Sequence, residues 1–538
     1  MNRAILSAVI VIVTATSLNA QSTGELVRIF ESSSAMSTSR NAAMGGAFTS
    51  LGADAASMDI NPAGLGMYRG SEISFTGYIL SRKSTSVSER MTNNLQGLPY
   101  SDKGSARKLN VNISNAAFVY SLKRDNGKAL RALNFGFSVS QQSNFRSSTY
   151  APSPYTRSSI ADMFGAQLFG VSPEALKGDD AYRGMPASSW GAVGAVQSGL
   201  IFDNDIVNVD GKDYVRYGPF YYSDGMQVGS LVDGDITRPS LKRITSGSTI
   251  NYNLSVATNI SDRLYLGLTI NIIDTDYSQK DMYREDTPQE NRGDMFYLKY
   301  NQYLNMKGTT AGVKIGATVR PFGGLRIGAA IHSPMLMSVT EFFSTENDNL
   351  FADNNNFYAE SPIMSNTYKV RSAPKVTTGL SYTFGKRAIL SADYEHIWYN
   401  SMDVRGIDYA PGETTLRSEF RNNYRAAGIV RAGAELNIGG GVMLRAGYNH
   451  KFNNNKLIAD KYGAVDSFSA GLGYRGRIMF LDLAFVNTKY HTAPAVYYGY
   501  TLSIPNGINP ITESYISDSS FSSTIKENNF LLTFGIKF

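Results

Sequence analysis

Beyond residue 70, apolar and polar side chains alternate one by one along segment after segment. In residues 311–320, Ala311, Val313, Ile315, Ala317 and Val319 fall on one side, and Gly312, Lys314, Gly316, Thr318 and Arg320 on the other. A β-strand turns successive side chains to opposite faces, so this spacing predicts a strand with one apolar and one polar face. Leu325, Ile327, Ala329 and Ile331 repeat it against Arg326, Gly328, Ala330 and His332. Val442, Leu444, Ala446 and Tyr448 do so against Met443, Arg445, Gly447 and Asn449. At the end of the chain Phe530, Leu532, Phe534, Ile536 and Phe538 share one face. A soluble β-sandwich shows the same alternation, so the pattern alone leaves two architectures open.

The links between segments separate them. Tight connections occur at Pro321-Phe322-Gly323-Gly324, Gly385-Lys386-Arg387 and Gly439-Gly440-Gly441, with others at Ser261-Asp262, near Gly476 and over 124–127. Between them lie long polar stretches at 81–108, 147–247, 278–305, 341–366, 404–420, 451–462 and 492–524. Short and long links alternate, the asymmetry of a transmembrane barrel with periplasmic turns on one rim and extracellular loops on the other. The map gives about 14 strands, an even number as such barrels have. Their centres fall near Ser74, Ala117, Phe137, Leu254, Leu268, Lys314, Ile327, Thr377, Leu390, Val430, Leu444, Ala470, Leu483 and Phe534. The predicted fold class is all-β, an antiparallel transmembrane β-barrel.

Two regions break the rhythm. In the long extracellular loop at 147–247, Ile160, Met163, Phe164, Leu168 and Val171 fall at helical spacing, and Ser172-Pro173-Glu174 reads as an N-cap followed by proline and an acid. One or two short helices are expected there. Their apolar stripe either seats the loop on the barrel rim or offers a hydrophobic platform to a substrate, which makes Phe164 a candidate ligand contact. The second region is 21–69, ahead of the first strand.

The first twenty residues set the compartment. Arg3, the apolar run 4–13 and Leu18-Asn19-Ala20 have the order of a secretory signal. The run is shorter than the roughly 20 residues a membrane-spanning helix needs. The expected division is therefore a signal peptide at 1–20, a plug at 21–69 and a barrel over 70–538. Mean hydropathy of −0.21 with 12% aromatic residues, 50 Gly and 33 Tyr suits strands that give only alternate residues to lipid.

Composition also removes several chemistries. With no cysteine there is no disulfide framework, thiolate nucleophile or cysteine metal site. The net charge is +6, but Lys and Arg are scattered along the sequence, with no stripe for nucleic acid. His332, His396, His450 and His491 lie in separate segments without a nucleophile or metal-protease motif. No enzyme, metal or cofactor is expected. Asp393 and Glu395 share a strand face and read as part of a lumenal charge network with Arg326 or Arg431.

The segment before the first strand runs Thr38-Ser39-Arg40-Asn41-Ala42-Ala43-Met44-Gly45-Gly46-Ala47-Phe48, then Gly52-Ala53-Asp54-Ala55, then Asn61-Pro62-Ala63-Gly64-Leu65-Gly66. Its small residues and turn formers suit a compact plug or an ordinary leader. These runs resemble the hatch of the FadL/TodX family, outer-membrane transporters of long-chain fatty acids and aromatic hydrocarbons. Residues 312–334, Ala373-Pro374-Lys375, 390–394, 431–435 and 444–448 are similar to the family's barrel hairpins, so the resemblance covers most of the chain. It implies 14 strands around an N-terminal hatch, and passive uptake of hydrophobic molecules captured outside, held beside the hatch and released through a gap in the barrel wall. On this resemblance Met44, Gly45, Gly46, Phe48, Asn61, Pro62 and Gly64 are the expected hatch and pathway residues. The expected partners are hydrophobic small molecules and outer-membrane lipids, with the chain a monomer in the cell outer membrane. Two other roles are a haem receptor, with His332 as candidate axial ligand, and a barrel that shuttles secreted surface proteins. The 147–247 loop and the 538-residue length exceed the usual family pattern.

Overall fold

The alternating segments build strands that close on themselves. The computed structural model describes residues 23–31, 37–90, 99–123, 129–156, 159–209, 212–218, 220–223, 226–230, 237–287, 295–351, 356–407, 412–492, 500–504, 511–515 and 519–538. The expected signal at 1–20 lies outside them. Fourteen strands form the barrel: β1 (Glu72–Arg90), β2 (Ser101–Lys123), β3 (Leu130–Asn144), β4 (Arg238–Ile260), β5 (Leu264–Asp286), β6 (Met295–Val319), β7 (Leu325–His332), β8 (Lys375–Phe384), β9 (Ala388–Ile397), β10 (Ala427–Gly439), β11 (Val442–Lys451), β12 (Val465–Arg475), β13 (Met479–Thr492) and β14 (Ser519–Lys537). Each is antiparallel to the next, and β14 returns to β1 from Glu72↔Lys537 to Arg90↔Ser519. Every expected strand centre falls inside one of them.

The tight links form hairpin turns. Ser261 and Asp262 take φ of 56° and 55°, the paired left-handed conformation that matches the twist of a two-residue hairpin. Gly439, Gly440 and Gly441 all have positive φ, which explains a glycine run at that turn.

The strands alternate as expected. On β5, Leu266, Leu268, Ile270 and Ile272 are exposed, while Thr269, Asn271 and Thr275 between and beyond them are buried in the lumen. Phe75, Ile79, Leu254, Ile315, Ile331, Leu444, Leu483 and Phe534 continue the exposed apolar belt around the barrel. An apolar outside and a polar inside identify a barrel whose solvent is lipid, its strands joined in a closed ring. Among the described residues no helix is long and apolar enough to cross a membrane. The protein is an outer-membrane barrel.

The extracellular side differs from the sequence expectation in extent. Several stretches expected as loops are paired strand: β1 and β2 continue to Glu89↔Ser101, and β5 and β6 to Asp286↔Tyr297. Leu336–Phe351 forms a further strand beside β6, and Ser147–Pro152 and the start of β4 pair inside the expected 147–247 loop. Above the lipid the outward face meets water and turns polar, so the outward apolar alternation stops while the strand pairing continues. Polarity marked the end of the lipid belt and not the end of the strands.

Inside that loop lie α4 (Ile160–Gln167), α5 (Asp180–Gly184) and α6 (Trp190–Gln197), with a 3₁₀ turn at Pro173–Leu176 after Ser172. Ser159 and Asp162 form a capping box on α4, satisfying its first backbone donors. Ile160, Met163, Phe164 and Leu168 are buried against Tyr283, Leu298, Tyr300 and Phe343 of the barrel extensions. Phe164 meets Tyr300 edge-on at 5.1 Å. The stripe seats the loop on the rim.

Candidate functional site

The segment ahead of β1 fills the barrel. After α1 (Thr23–Phe30) the chain passes through α2 (Ser39–Ala43), α3 (Ser57–Ile60) and a 3₁₀ turn at Pro62–Met67 to reach β1. Met44, Phe48 and Leu51 form a small buried cluster of their own. The rest of the contact is polar and reaches most of the way round the wall. Ser39 N donates to Thr533 Oγ1 on β14 at 2.8 Å, and Thr49 N to Asp393 Oδ2 on β9 at 2.7 Å. Asn134 Nδ2 on β3 donates to Leu65 O at 2.7 Å. Arg40 grips Glu435 on β10 through Nε at 2.9 Å and Nη2 at 3.1 Å. Glu435 continues a charge chain through Arg445 (2.6 Å), Asp482 (2.7 Å) and Arg475 (2.8 Å).

Asn61 is the most connected of the expected residues. Its Nδ2 donates to Thr49 O at 2.6 Å, Thr318 Oγ1 at 3.2 Å and Ala317 O at 3.3 Å, and its Oδ1 accepts from Ala63 N at 3.1 Å. One buried amide thus caps the turn that Pro62 begins, ties two parts of the plug together and fastens both to β6. Gly45 and Gly46 take φ of 65° and 79°, which only glycine adopts without strain. The wall is cut back to admit them: a Cβ on Gly447 would stand 2.1 Å from Gly45 N, and one on Gly316 1.9 Å from Asn61 Oδ1.

Above the plug is a cavity of about 130 Å³. Its lining combines apolar side chains, among them Phe30, Ile273, Met335, Ile397, Met402 and Ile429, with the polar or charged Asp59, Lys314, His332, Lys375, Glu395 and Arg431. Asp59 Oδ1 accepts from Ser140 Oγ (3.0 Å), Asn251 Nδ2 (2.8 Å) and Asn253 Nδ2 (2.8 Å), with Lys314 Nζ at 3.7 Å. Glu395 takes Arg431 Nη2 at 2.9 Å and stands 3.6 Å from Lys375 Nζ. Three cations therefore face two carboxylates, and Arg431 Nε, Asp59 Oδ2 and Glu395 Oε1 are buried without a hydrogen-bond partner among the described residues. Lys451, also on the lining, is held by Glu31 at 2.5 Å.

Of the sequence candidates, His332 lies in the cavity and donates from Nε2 to Ile60 O at 2.9 Å. Phe164 lies away from the cavity, in the extracellular cluster. Met44, Gly45, Gly46, Phe48, Asn61, Pro62 and Gly64 come together as the body of the plug, beneath the cavity rather than on its lining. Glu395 joins Arg431 as expected, whereas Asp393 turns to the plug backbone at Thr49. Sequence reasoning missed Lys314 and Lys375 as cavity residues and α1 as its roof. Leu26, Val27 and Phe30 at helical spacing were the available signal for α1. Among the described residues no cluster of His, Cys, Asp and Glu is arranged to hold a metal.

The wall beside the cavity is incomplete. β2 pairs with β3 only from Asn115↔Ser140 to Lys123↔Ala132, although β2 begins at Ser101. Above Asn115 the two strands part, and Ser140, Gln141 and Gln142 of β3 line the cavity at that split. On the outside, Leu109, Val111 and Ile113, in the stretch of β2 paired with β1 but not with β3, are exposed within the lipid belt.

A closed antiparallel barrel of fourteen strands, plugged from its N-terminus and split beside an inner cavity, can be compared with solved structures. A FadL homologue of Pseudomonas aeruginosa superposes with a TM-score of 0.50 at 12% identity, covering 93% of this chain and 98% of that one. This chain has the FadL fold. The Ralstonia pickettii toluene transporter TbuX (TM-score 0.44, 15% identity, 93% and 98% covered) and the Pseudomonas putida toluene transporter TodX (0.46, 12%, 93% and 97%) are also similar. No family model matches the sequence, and no curated protein sequence is similar to it. The FadL fold therefore rests on three-dimensional arrangement, at identities where sequence comparison is silent.

Proposed function

We propose that the protein takes up small hydrophobic molecules passively across the outer membrane, and that its cargo carries a single anionic group. The observation that carries this reading is the mixed lining of the cavity, which joins apolar side chains to an excess cation and a buried, unbonded Arg431 Nε. A cavity of this size resembles an engineered apolar cavity of about 150 Å³ that holds benzene, so one ring fits without moving the plug. An apolar route suits such cargo, because exposing apolar surface to water costs about 25 cal/mol per Å². The split between β2 and β3 supports release sideways into lipid. The plug, fastened by Asn61 and Arg40, supports a closed resting state.

The test uses purified full-length protein with phenylacetate and its neutral counterpart 2-phenylethanol. Phenylacetate binds the tighter of the two, and Lys375→Gln narrows the difference by about tenfold, the scale of one charge-assisted contact. In vesicles, Ile273→Trp, which fills the cavity from β5, abolishes uptake of labelled phenylacetate. Equal binding of acid and alcohol overturns the anionic cargo, and unchanged uptake by Ile273→Trp overturns the route.

A further inference from the structure

The outward face of four neighbouring strands carries a charged feature unrelated to the lumen. The register sets Arg107 of β2, Lys83 of β1, Lys526 of β14 and Lys489 of β13 directly beside one another. All four side chains are exposed. Adjacent strands lie about 4.8 Å apart, so the cations form a row roughly 14 Å long. Like charges directly opposite each other destabilise a strand pair, and here the arrangement occurs three times in succession. The outward neighbours two residues above are Ser105, Thr85, Thr524 and His491, and two residues below Leu109, Ser81, Asn528 and Asn487. No acid stands among them. Asp466 on β12 stands beside Lys489 at the end of the row as its one acidic neighbour across the register, and also accepts from Tyr448 Oη at 2.7 Å and His450 Nδ1 at 2.8 Å.

Height relative to the membrane gives the row its meaning. Four residues below it along each strand is a wholly apolar tier, Val111, Ile79, Phe530 and Phe485, all exposed. Four residues along a strand tilted about 40° rise roughly 10 Å, which carries the cations out of the hydrocarbon and into the headgroup layer. The row is local to one arc. On β5, Asp276 stands the same four residues beyond the last exposed apolar side chain, Ile272, and faces Lys307 Nζ at 3.8 Å.

We propose that Arg107, Lys83, Lys526 and Lys489 form a docking row for the phosphorylated headgroup of an outer-leaflet glycolipid of the lipid A type. Phosphates at that depth supply the charge that Arg107, Lys83 and Lys526 lack in the register. The Arg107 guanidinium can engage a phosphate through two parallel hydrogen bonds, and the hydroxyl and amide tiers on either side offer donors to the sugar and phosphate oxygens. The site straddles β1 and β14, where the two ends of the barrel meet, so a bound headgroup bridges the closing seam.

The experiment is native mass spectrometry of the full-length protein in detergent, titrated with bisphosphorylated lipid A, dephosphorylated lipid A and phosphatidylglycerol. Each surface cation near an anionic lipid contributes roughly fivefold in affinity. The wild type prefers bisphosphorylated lipid A, and Lys83→Gln/Lys526→Gln weakens its binding about 30-fold. Lys307→Gln, at the same height on another arc, leaves binding unchanged. Heat-modifiable gel mobility checks that both variants fold as barrels. Equal retention of dephosphorylated lipid A, equal retention by the double variant, preference for phosphatidylglycerol, or displacement by inorganic phosphate at comparable concentration would each overturn the proposal.

Discussion

Replacing Asn61 by alanine removes the amide that fastens the plug to β6 and to itself. The side chain is wholly buried and makes contacts of 2.6, 3.2 and 3.3 Å from Nδ2 and 3.1 Å to Oδ1. An amide nitrogen carries two hydrogens, so these amount to about three full hydrogen bonds, each contributing about 1 kcal/mol net. The turn also loses its N-cap, a loss included in that sum through Ala63 N. A cost near 3 kcal/mol shifts the docked-to-released ratio of the plug by roughly 150-fold. Amide hydrogen exchange reads this directly. Amides within 49–66 exchange about two orders of magnitude faster in Asn61→Ala, while those of β10 to β13 keep their protection. Asn61→Asp keeps the acceptor to Ala63 N but loses both donors, and its 49–66 amides also exchange faster. An increase below about fivefold, or one spread evenly over the barrel, refutes the assignment of Asn61 as the fastening residue.

Gly447→Ala places a methyl 2.1 Å from Gly45 N, against backbone that cannot yield. The variant folds as a barrel by gel mobility but conducts ions across a planar bilayer where the wild type is closed. Glu285 stands well above the lipid belt, where it accepts from Ser159 Oγ at 2.6 Å and Ile160 N at 2.8 Å, and burial pushes its carboxyl from 4.5 up to about 7. A carboxyl whose value is raised on docking favours docking when protonated. Seating of α4 is therefore strongest below about pH 4.5, weakens as the pH climbs towards 7 and levels off above it. The full swing is on the order of 3 kcal/mol. Exchange of the α4 amides measured from pH 4 to 8, after correction for intrinsic rates, checks the sign, and Glu285→Gln flattens the profile.

The parts of this fold legible in the sequence are those where lipid imposes a rule on every second residue. Val313, Ile315, Ala317 and Val319 must be apolar because they face hydrocarbon, and so β6 was visible there. Tyr297 to Thr309 of the same strand lie above the hydrocarbon, so the outward face turns polar at Lys299, Asn301, Asn305 and Lys307, while Leu298, Tyr300, Leu304 and Met306 are the buried ones. The plug was visible as a run of small residues and turns, but its grip on the wall depends on Gly316 and Gly447, whose task is to be absent as side chains. The cavity was not legible. Lys314 and Lys375 each look like ordinary inward polar residues, and only closure of the ring brings them to Glu395 and Arg431. The outer cation row shows the same limit: lysines that look scattered along the chain become a file once the register of β13, β14, β1 and β2 is known.

The seam between β1 and β14 also governs the order of assembly. Ser71 and Phe538 exchange backbone hydrogen bonds at 3.0 Å in both directions, so the last residue of the chain completes the ring beside the first strand. The plug, which leaves the ribosome before any strand, touches Thr533 on β14 as well as Glu435 on β10. Its seat does not exist until the final strand arrives. Contacts of such sequence separation form late and slowly, and a closed ring offers no later way in from the side. The plug must therefore be surrounded by the sheet as the sheet curls, and a segment made before every strand is among the last to reach its resting place.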